Sequence, residues 1–150
     1  KEIDLAVHSA KDLAVNLPAG LTLGAVLERE DARDCLVSRD GKKLSELHLG
    51  ARVGTSSLRR KLQLHRFHQD ILVEDIRGNV DTRLKKLEEG VVDALCLAYA
   101  GLKRLGLTTA VTEVFDSGRF YPAPGQGAIV VECRAGDRET VSSTTTMITA

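Results

Sequence analysis

The sequence predicts an α/β protein, a mostly parallel sheet with helices on both faces, and three observations carry the prediction. Short runs of branched apolar residues recur along the chain, helical periodicities lie between several of them, and small turn-forming residues stand at the junctions. With 150 residues, 43% of them hydrophobic, the chain can bury one sizeable core, and a division into two small lobes is tight.

In chain order, the strand candidates are Ile3 to Val7, Leu21 to Leu27, Cys35 to Val37, a short strand opening ARVGTSSLRR at 51 to 60, Ile71 to Val73, Val91 to Leu97, and Ala128 to Val131. Leu58, Leu62 and Phe67 roughly share one helical face, and Val80, Leu84 and Leu87 recur at i, i+4 and i+7. Asp81, Lys85 and Glu89 give i, i+4 pairing on the outer side of this second helix, and Gly90 supplies a C-cap. The alternation is strongest from 51 to 106. FYPAPGQGA, at 120 to 128, gathers two prolines and two glycines before a new strand and reads as a hinge or crossing linker. The charged stretch EREDARD, at 28 to 34, marks a second crossing, so 35 to 120 forms a lobe hung between the two. From Thr140 the Ser- and Thr-rich tail carries neither period and reads as disordered over 141 to 150.

The 21 basic and 21 acidic side chains cancel, so affinity for an anion has to be local, and no overall field favours nucleic acid or an anionic membrane. Aromatics are 3% and Trp is absent, which leaves few platforms for stacking bases. Cys35, Cys96 and Cys133 are odd in number and set in apolar runs, which fits buried reduced thiols in a cytoplasmic protein better than a disulfide framework or a metal site. No apolar run approaches the roughly 20 residues of a membrane span, and KEIDLAVHS does not resemble a signal peptide. The chain opens on Lys1 and enters a strand pattern at once, as a fragment would.

The sharpest local signal is ARVGTSSLRR. A strand runs into Gly54, which is read as permitting a tight turn, then into the hydroxyls of Thr55, Ser56 and Ser57, then into a helix carrying Arg59 and Arg60. Free N–H groups at a helix start face anions with the favourable end of the macrodipole, and arginine offers a planar fork suited to carboxylate or phosphate. A capped helix with solvated arginines is the plainer reading, and this motif alone leaves both open. The logic recurs at IRGNVDTRL, with Arg77, Gly78, a capping Asn79 and Arg83, and again at LAYAGLKRLGL, with Lys103 and Arg104. Loops leaving the carboxyl ends of parallel strands gather on one edge, where open α/β folds bind ligands. From 52 to 104 there are 11 Lys or Arg against 7 Asp or Glu, so that edge is basic, although Arg66, Lys85 and Lys86 read as solvated.

Near the start, LAVHSAKD sets His8, Ser9, Lys11 and Asp12 just beyond the first strand. Asp12 is either a turn cap or a group that moves a proton or stabilises a developing cation. His8 reads as a hydrogen-bonded, half-buried histidine. There is no GxxxxGK[ST] loop, no GxGxxG turn, no HExxH or paired-cysteine metal set and no GxSxG elbow, so nucleotide, metal and serine-hydrolase readings fall away.

In order, HSAKD, GTSSLRR, RGNVDTRL, LAYAGLKRLGL, APGQGA and VECR resemble the porphobilinogen deaminases, also called hydroxymethylbilane synthases, over residues 2 to 134. The resemblance implies a cytoplasmic, monomeric transferase of haem and tetrapyrrole synthesis, which deaminates porphobilinogen and joins four units into linear hydroxymethylbilane. The chain grows on a covalent dipyrromethane cofactor. Substrate and product carry acetate and propionate groups, the polycarboxylate that a basic edge suits. By motif, Asp12 resembles the family's catalytic aspartate, and Ser9 and Lys11 line the cofactor. Arg59, Arg60, Arg77, Arg83 and Arg104 bind carboxylates, Thr55, Ser56, Ser57 and Gly78 donate from loops, and Gln126 sits at the crossing. No metal, nucleic acid or membrane is implied.

The family's first two domains resemble type II periplasmic binding proteins. The resemblance thus makes 1 to 30 with 126 to 140 part of a first domain and 33 to 121 the second, in a partial two-lobe fragment. Ala10 stands where the family has a larger apolar residue, and Leu13 and Ala14 where a proline commonly follows the aspartate. The upstream half of the first domain and the third domain, which carries the cofactor-attaching cysteine, are outside the sequence, and none of the three cysteines lies in that attachment motif. The expectation is an active parent and an inactive fragment. A non-catalytic module of periplasmic-binding type for small carboxylates is the competing reading, and a truncated product without function is a third.

Overall fold

The computed structural model describes residues 3–137 and 139–143. In chain order the strands are β1 (Leu5–Ser9), β2 (Leu21–Val26), β3 (Asp34–Ser38), β4 (Arg52–Gly54), β5 (Leu72–Glu74), β6 (Ala94–Ala98), β7 (Glu113–Val114) and β8 (Ile129–Arg134). The α-helices are α1 (Leu58–Phe67), α2 (Val80–Glu88) and α3 (Tyr99–Arg104). The chain divides into two compact units, Arg33–Pro122 and the pair of segments Lys1–Ala32 with Ala123–Ala150.

In the Arg33–Pro122 unit five strands form one sheet in the order β5-β4-β6-β3-β7. The α/β class holds, but parallel pairing is narrower than the strand–helix alternation implies. β4 runs parallel to β5 and to β6, while β3 is antiparallel to both β6 and β7. The reason is connectivity: β4-α1-β5, β5-α2-β6 and β6-α3-β7 are strand–helix–strand units whose strands share one direction, whereas β3 enters without a crossover helix, lies between β6 and β7 and runs against both.

Helices cover both faces, and alternation along the strands shows how. On one face Leu36, Val53, Ala94 and Cys96 pack with Leu64, Phe115 and Phe120. On the other, Cys35, Val37, Leu95 and Leu97 pack with Ile76, Leu87 and Leu102. Neighbours such as Leu95 and Cys96 thus point to opposite sides, as strand geometry requires. The α2 pattern holds: Leu87 is buried, and Val80 and Leu84 pack against the same cluster. The α1 pattern does not. Leu58 and Leu62 are 70% and 66% exposed, and the face turned inward is Arg60, Leu64 and Phe67. Arginine occupies that face because it has a buried carboxylate to meet, which no apolar count can register.

The other unit holds a three-stranded antiparallel sheet, β1-β8-β2. β1 and β8 pair from Leu5 opposite Cys133 to Ser9 opposite Ile129, so the chain just after β1 and the chain just before β8 share one end of the sheet. β2 pairs with β8 through a bulge between Leu23 and Ala25. His8 is half-buried and bonds Glu132 Oε2 through Nε2 at 3.1 Å, as the sequence suggests. β1 and β8 start inside the apolar runs and end beyond them, at Ser9 and Arg134, because pairing, not hydrophobicity, sets where a strand stops. β7 has only two residues and carries no sequence signal of its own.

Of the tail read as disordered over 141–150, only 141–143 are described, and they are helical. Residues 139–143 are helical, begun by Asp137, whose Oδ1 accepts from the Thr140 N–H at 3.0 Å and whose carbonyl accepts from the Val141 N–H at 3.1 Å. A side-chain cap of this kind nucleates a turn in a sequence without apolar periodicity. The expectation for 144–150 lies outside the described residues. No helix among the described residues is long and apolar enough to cross a membrane.

Candidate functional site

Because β4, β5 and β6 are parallel, their carboxyl ends and the loops that follow meet at one sheet edge. β3 runs the other way, so its first residue, Asp34, stands at that edge opposite Ala98. The arginine loops and one acid therefore converge.

The loop after β4 is built tightly. Gly54 has no positive φ, so the tight turn expected of it is absent; its role is close approach. A Cβ there would lie 2.7 Å from Ile76 Cγ1 and 2.9 Å from Leu95 Cδ2. Thr55 is fully buried, and its Oγ1 accepts from the Ser57 N–H at 3.3 Å. Ser56 donates from Oγ to the Ile76 carbonyl at 2.8 Å, tying this loop to the next. Ser57 is the N-cap of α1. The first N–H groups of a helix lack partners within it, so this terminus carries partial positive charge.

Arg59 and Arg60 follow in the first turn, where no acidic residue of the helix faces them. Their counter-charge is Asp34, which has no solvent exposure. Arg60 is 6% exposed and grips Asp34 Oδ1 with Nε at 2.9 Å and Nη2 at 2.7 Å. Arg59 is partly exposed; its Nη1 donates to Asp34 Oδ2 at 2.6 Å and also to the Tyr121 carbonyl. Sequence reasoning missed Asp34, which sits inside a charged run and has no motif around it.

In the next loop, Asn79 caps α2 by accepting from the Thr82 N–H at 2.9 Å, and Arg83 Nε donates to the Gly78 carbonyl at 2.7 Å. Burial first, and then the Arg60 charge, lower the Arg83 guanidinium from its ordinary value. Arg83 and Arg60 thus share one field. Arg77 is exposed in the same loop, and its charge helps, after Lys61, to lower Asp75. Arg104 is exposed at the far end of α3, about 7.5 Å along the helix from Tyr99 at the sheet edge.

The remaining expected residues belong to the other unit. Ser9 ends β1, and Lys11 and Asp12 form a 3-10 turn over Ala10–Asp12, closed by the Leu13 N–H donating to the Ala10 carbonyl at 3.3 Å. Asp12 is exposed. Leu13, where the sequence lacks a proline, has φ −73, within the range proline fixes. The turn is anchored by the Ala10 N–H on the Ala128 carbonyl at 3.0 Å. Gln126 is 1% exposed: its Nε2 donates to the Ala32 carbonyl at 2.6 Å, and its own carbonyl accepts from Arg29 Nε at 3.0 Å.

All three cysteines are buried and none is in a disulfide, and burial pushes the Cys96 thiol up. None is available as a nucleophile or an attachment point. A pocket of about 330 Å³ lined by Leu44, Phe67, Phe115 and Phe120, with Glu113, Asp116 and Arg119, shares no residue with the arginine edge. The edge is the better candidate because its charge excess and open donors point to a ligand class.

A family model described as "Porphobilinogen deaminase, dipyromethane cofactor binding domain" matches residues 1–142. Curated relatives named porphobilinogen deaminase include those of Desulforudis audaxviator, 57% identical over 139 residues (93% of this chain, 45% of the relative), and Brevibacillus brevis, 51% identical over 142 residues (95% and 46%). The chain therefore spans less than half the length of the curated relatives it matches. Among solved structures it resembles a YaeC-family lipoprotein of Enterococcus faecalis, with TM-score 0.56 and 17% identity over 88% of this chain and 63% of that one. It also resembles a TRAP periplasmic solute binding protein of Desulfovibrio salexigens, with TM-score 0.50 and 12% identity over 87% and 42%. At such identities the likeness is one of fold, and it bears out the periplasmic-binding-protein-like architecture.

Proposed function

The chain belongs to the porphobilinogen deaminase family, and from that premise we propose that it serves as the cofactor- and substrate-carboxylate-binding part of a hydroxymethylbilane synthase. The observation that carries this reading is the charge at the sheet edge, where Arg59 and Arg60 share the buried carboxylate of Asp34 and Arg83 lies within the field of Arg60. Such an edge favours a ligand with several carboxylates, because each arginine contributes a fork and the helix start adds unpaired N–H groups. Acetate and propionate side chains of porphobilinogen and of a growing pyrrole chain have that chemistry.

Within this reading Arg59, Arg77, Arg83 and Arg104 take the carboxylates, with Ser56 and the α1 terminus donating, and Thr55, Ser57 and Gly78 shape the loops. Arg60 acts from behind them. The donor set fits the carboxylate-bearing part of a dipyrromethane, which when bound supplies the primer pyrrole for chain growth. It does not fit the covalent anchor, since Cys35, Cys96 and Cys133 are buried. The 150-residue chain alone is therefore expected to retain no covalent dipyrromethane and to turn nothing over.

Asp12, exposed on its turn with Ser9 and Lys11 beside it, is the residue for the chemistry. Its carboxylate stabilises positive charge that develops on the pyrrole as ammonia leaves, and it assists the accompanying proton movement. Gln126 holds the return segment rather than the ligand. The reaction is assigned to a cytoplasmic monomer without nucleic acid or membrane, a reading supported by three buried cysteines outside any disulfide and by a balanced net charge.

The test is Asp12→Ala in the enzyme completed to the length of its relatives. Porphobilinogen consumption should fall by about 10²- to 10⁴-fold with the thermal midpoint unchanged. Near-normal consumption would remove Asp12 from the mechanism. Calorimetric titration with succinate separates the binding-module alternative, which requires tight binding of a simple dicarboxylate by a protein that consumes nothing.

A further inference from the structure

We propose that Asp34 is a positioning residue: from beneath the sheet edge, with Arg60 held behind it, it fixes the guanidinium of Arg59 in the orientation in which that side chain receives a ligand carboxylate. The inference rests on the reading of that edge as a carboxylate site.

Local energetics set up the problem. Two arginines in the first turn of α1 face the positive end of the helix dipole and each other, with no acid in that turn to hold them. Left to themselves, such side chains turn away into solvent. Asp34 prevents this, and its own placement is over-determined. It begins β3, pairs with Ala98 of β6, and its carbonyl accepts the Phe115 N–H at 2.9 Å. A carboxylate with no solvent exposure, fixed by strands on both sides, is a rigid anchor.

The division of its two oxygens is informative. Oδ1 takes both Nε and Nη2 of Arg60, so that guanidinium is held as a fork and buried. Oδ2 takes Nη1 of Arg59, at 2.6 Å. Nη1 is also the atom that reaches the Tyr121 carbonyl, so one corner of the Arg59 guanidinium is clamped twice. Its Nε and Nη2 have no hydrogen bond to a described residue, and the side chain is partly exposed. Asp34 thus grips the inner corner of Arg59 and leaves its outer edge for a ligand. The carboxylate also lowers the charge at the edge, so its presence costs raw attraction for an anion and is repaid only as orientation.

The two effects have opposite signs, and that makes the proposal testable. Removing the negative charge in Asp34→Asn raises the local charge by one unit, which by electrostatics alone tightens anion binding. Positioning requires the reverse. The full 150-residue chain would be titrated calorimetrically with porphobilinogen, beside Asp34→Asn, Asp34→Glu and Arg83→Gln, each checked for cooperative unfolding. Asp34→Asn should weaken binding about tenfold or more. Asp34→Glu, which keeps the charge but moves it by one methylene, should fail to rescue it. Equal or tighter binding by Asp34→Asn, or full rescue by Asp34→Glu, overturns the proposal.

Arg83→Gln separates the two failures. If it weakens binding while Asp34→Asn does not, the carboxylate site stands and the positioning role falls; if the unaltered chain binds no porphobilinogen, both fall. A measurement on the unaltered chain covers the case in which neither Asp34 variant folds. The Nη resonances of Arg59 and Arg60 should be resolved by nitrogen-15 NMR without ligand, showing hindered guanidinium rotation. Averaged Nη signals for Arg59 would overturn the proposal.

Discussion

The five-stranded sheet of Arg33–Pro122 is packed on both faces by residues such as Leu36, Val53, Leu64, Leu95 and Leu102, none of which has measurable exposure. The three-stranded sheet of the other unit buries only Ala25, Ala128, Val130 and Cys133 among its described apolar residues, and it leaves Ile3, Val7, Val15, Leu23 and Val26 exposed. The arginine edge is therefore carried on strand ends that two apolar layers fix. The turn bearing Asp12 is carried instead by backbone hydrogen bonds, the Ala10 N–H on Ala128 and the Glu30 N–H on Gly127, and by the buried amide of Gln126. One unit is stabilised mainly by burial, the other by the fit of a few polar and glycine positions. Under the proposed function the arginines benefit from the first arrangement, since carboxylate recognition needs them held at fixed separations.

Apolar truncation gives the largest expected effect. Leu64→Ala should cost about 2–5 kcal/mol in urea unfolding of the Arg33–Pro122 transition. Leu62→Ala, two residues away on the same helix but 66% exposed, should change it by under about 0.5 kcal/mol. Val7→Ala, on the thin sheet, should be equally mild. A Val7 variant as damaging as the Leu64 variant would break the contrast between the units.

The same pair of leucines shows how far the sequence could be read. Strand–helix alternation and apolar periodicity located seven of the eight strands and the α2 face, because branched residues at period 2 or 3.6 report burial directly. Periodicity chose Leu58 and Leu62 for the buried side of α1 because it counts only apolar groups. The side that is buried carries Arg60, and its partner Asp34 lies 26 residues earlier, in a run of charges that reads as solvated. The motif glycines and hydroxyls were legible as a loop, but the reason for Gly54 was not. Its lack of a Cβ answers to Ile76 and Leu95, contacts made only once the sheet closes. The mixed pairing of the sheet was likewise beyond reach, since β7 is two residues long and β3 arrives from a linker. The proposed binding residues were visible because they lie in local motifs; the ion cluster behind them joins distant segments.

A backbone substitution in the second unit ranks next. Gly127 has φ +91, and a Cβ there would stand 2.3 Å from the Glu30 carbonyl oxygen, which is backbone and cannot swing aside. Gly127→Ala should cost about 1–3 kcal/mol, read as a lowered midpoint for the transition that includes the β1-β8-β2 sheet, with the Leu64-dependent transition unmoved. A single transition shifted as a whole would sharpen the comparison differently, by showing that the two units unfold together.

The smallest effect concerns charge within the well-packed unit. Asp93 joins β4 to the segment entering β6: its Oδ2 accepts the Arg52 N–H at 2.8 Å, and its Oδ1 meets Arg39 Nη2 at 3.2 Å. Burial pushes its carboxyl up, but the Arg52 N–H and the charges of Arg52, Arg39 and His48 outweigh this and hold it below the ordinary value of 3.8. A carboxyl depressed in the folded state stabilises the fold at pH above its unfolded value, and that contribution is lost as pH falls through the folded one. The Asp93→Asn variant should therefore be less stable than the parent by up to about 1 kcal/mol near neutrality, with the gap closing as pH falls below 3.8. Denaturant midpoints from pH 7 to pH 2 would trace it. A gap of several kcal/mol, or one that widens in acid, would mean that this unit leans on its ion pairs as heavily as on its two apolar layers.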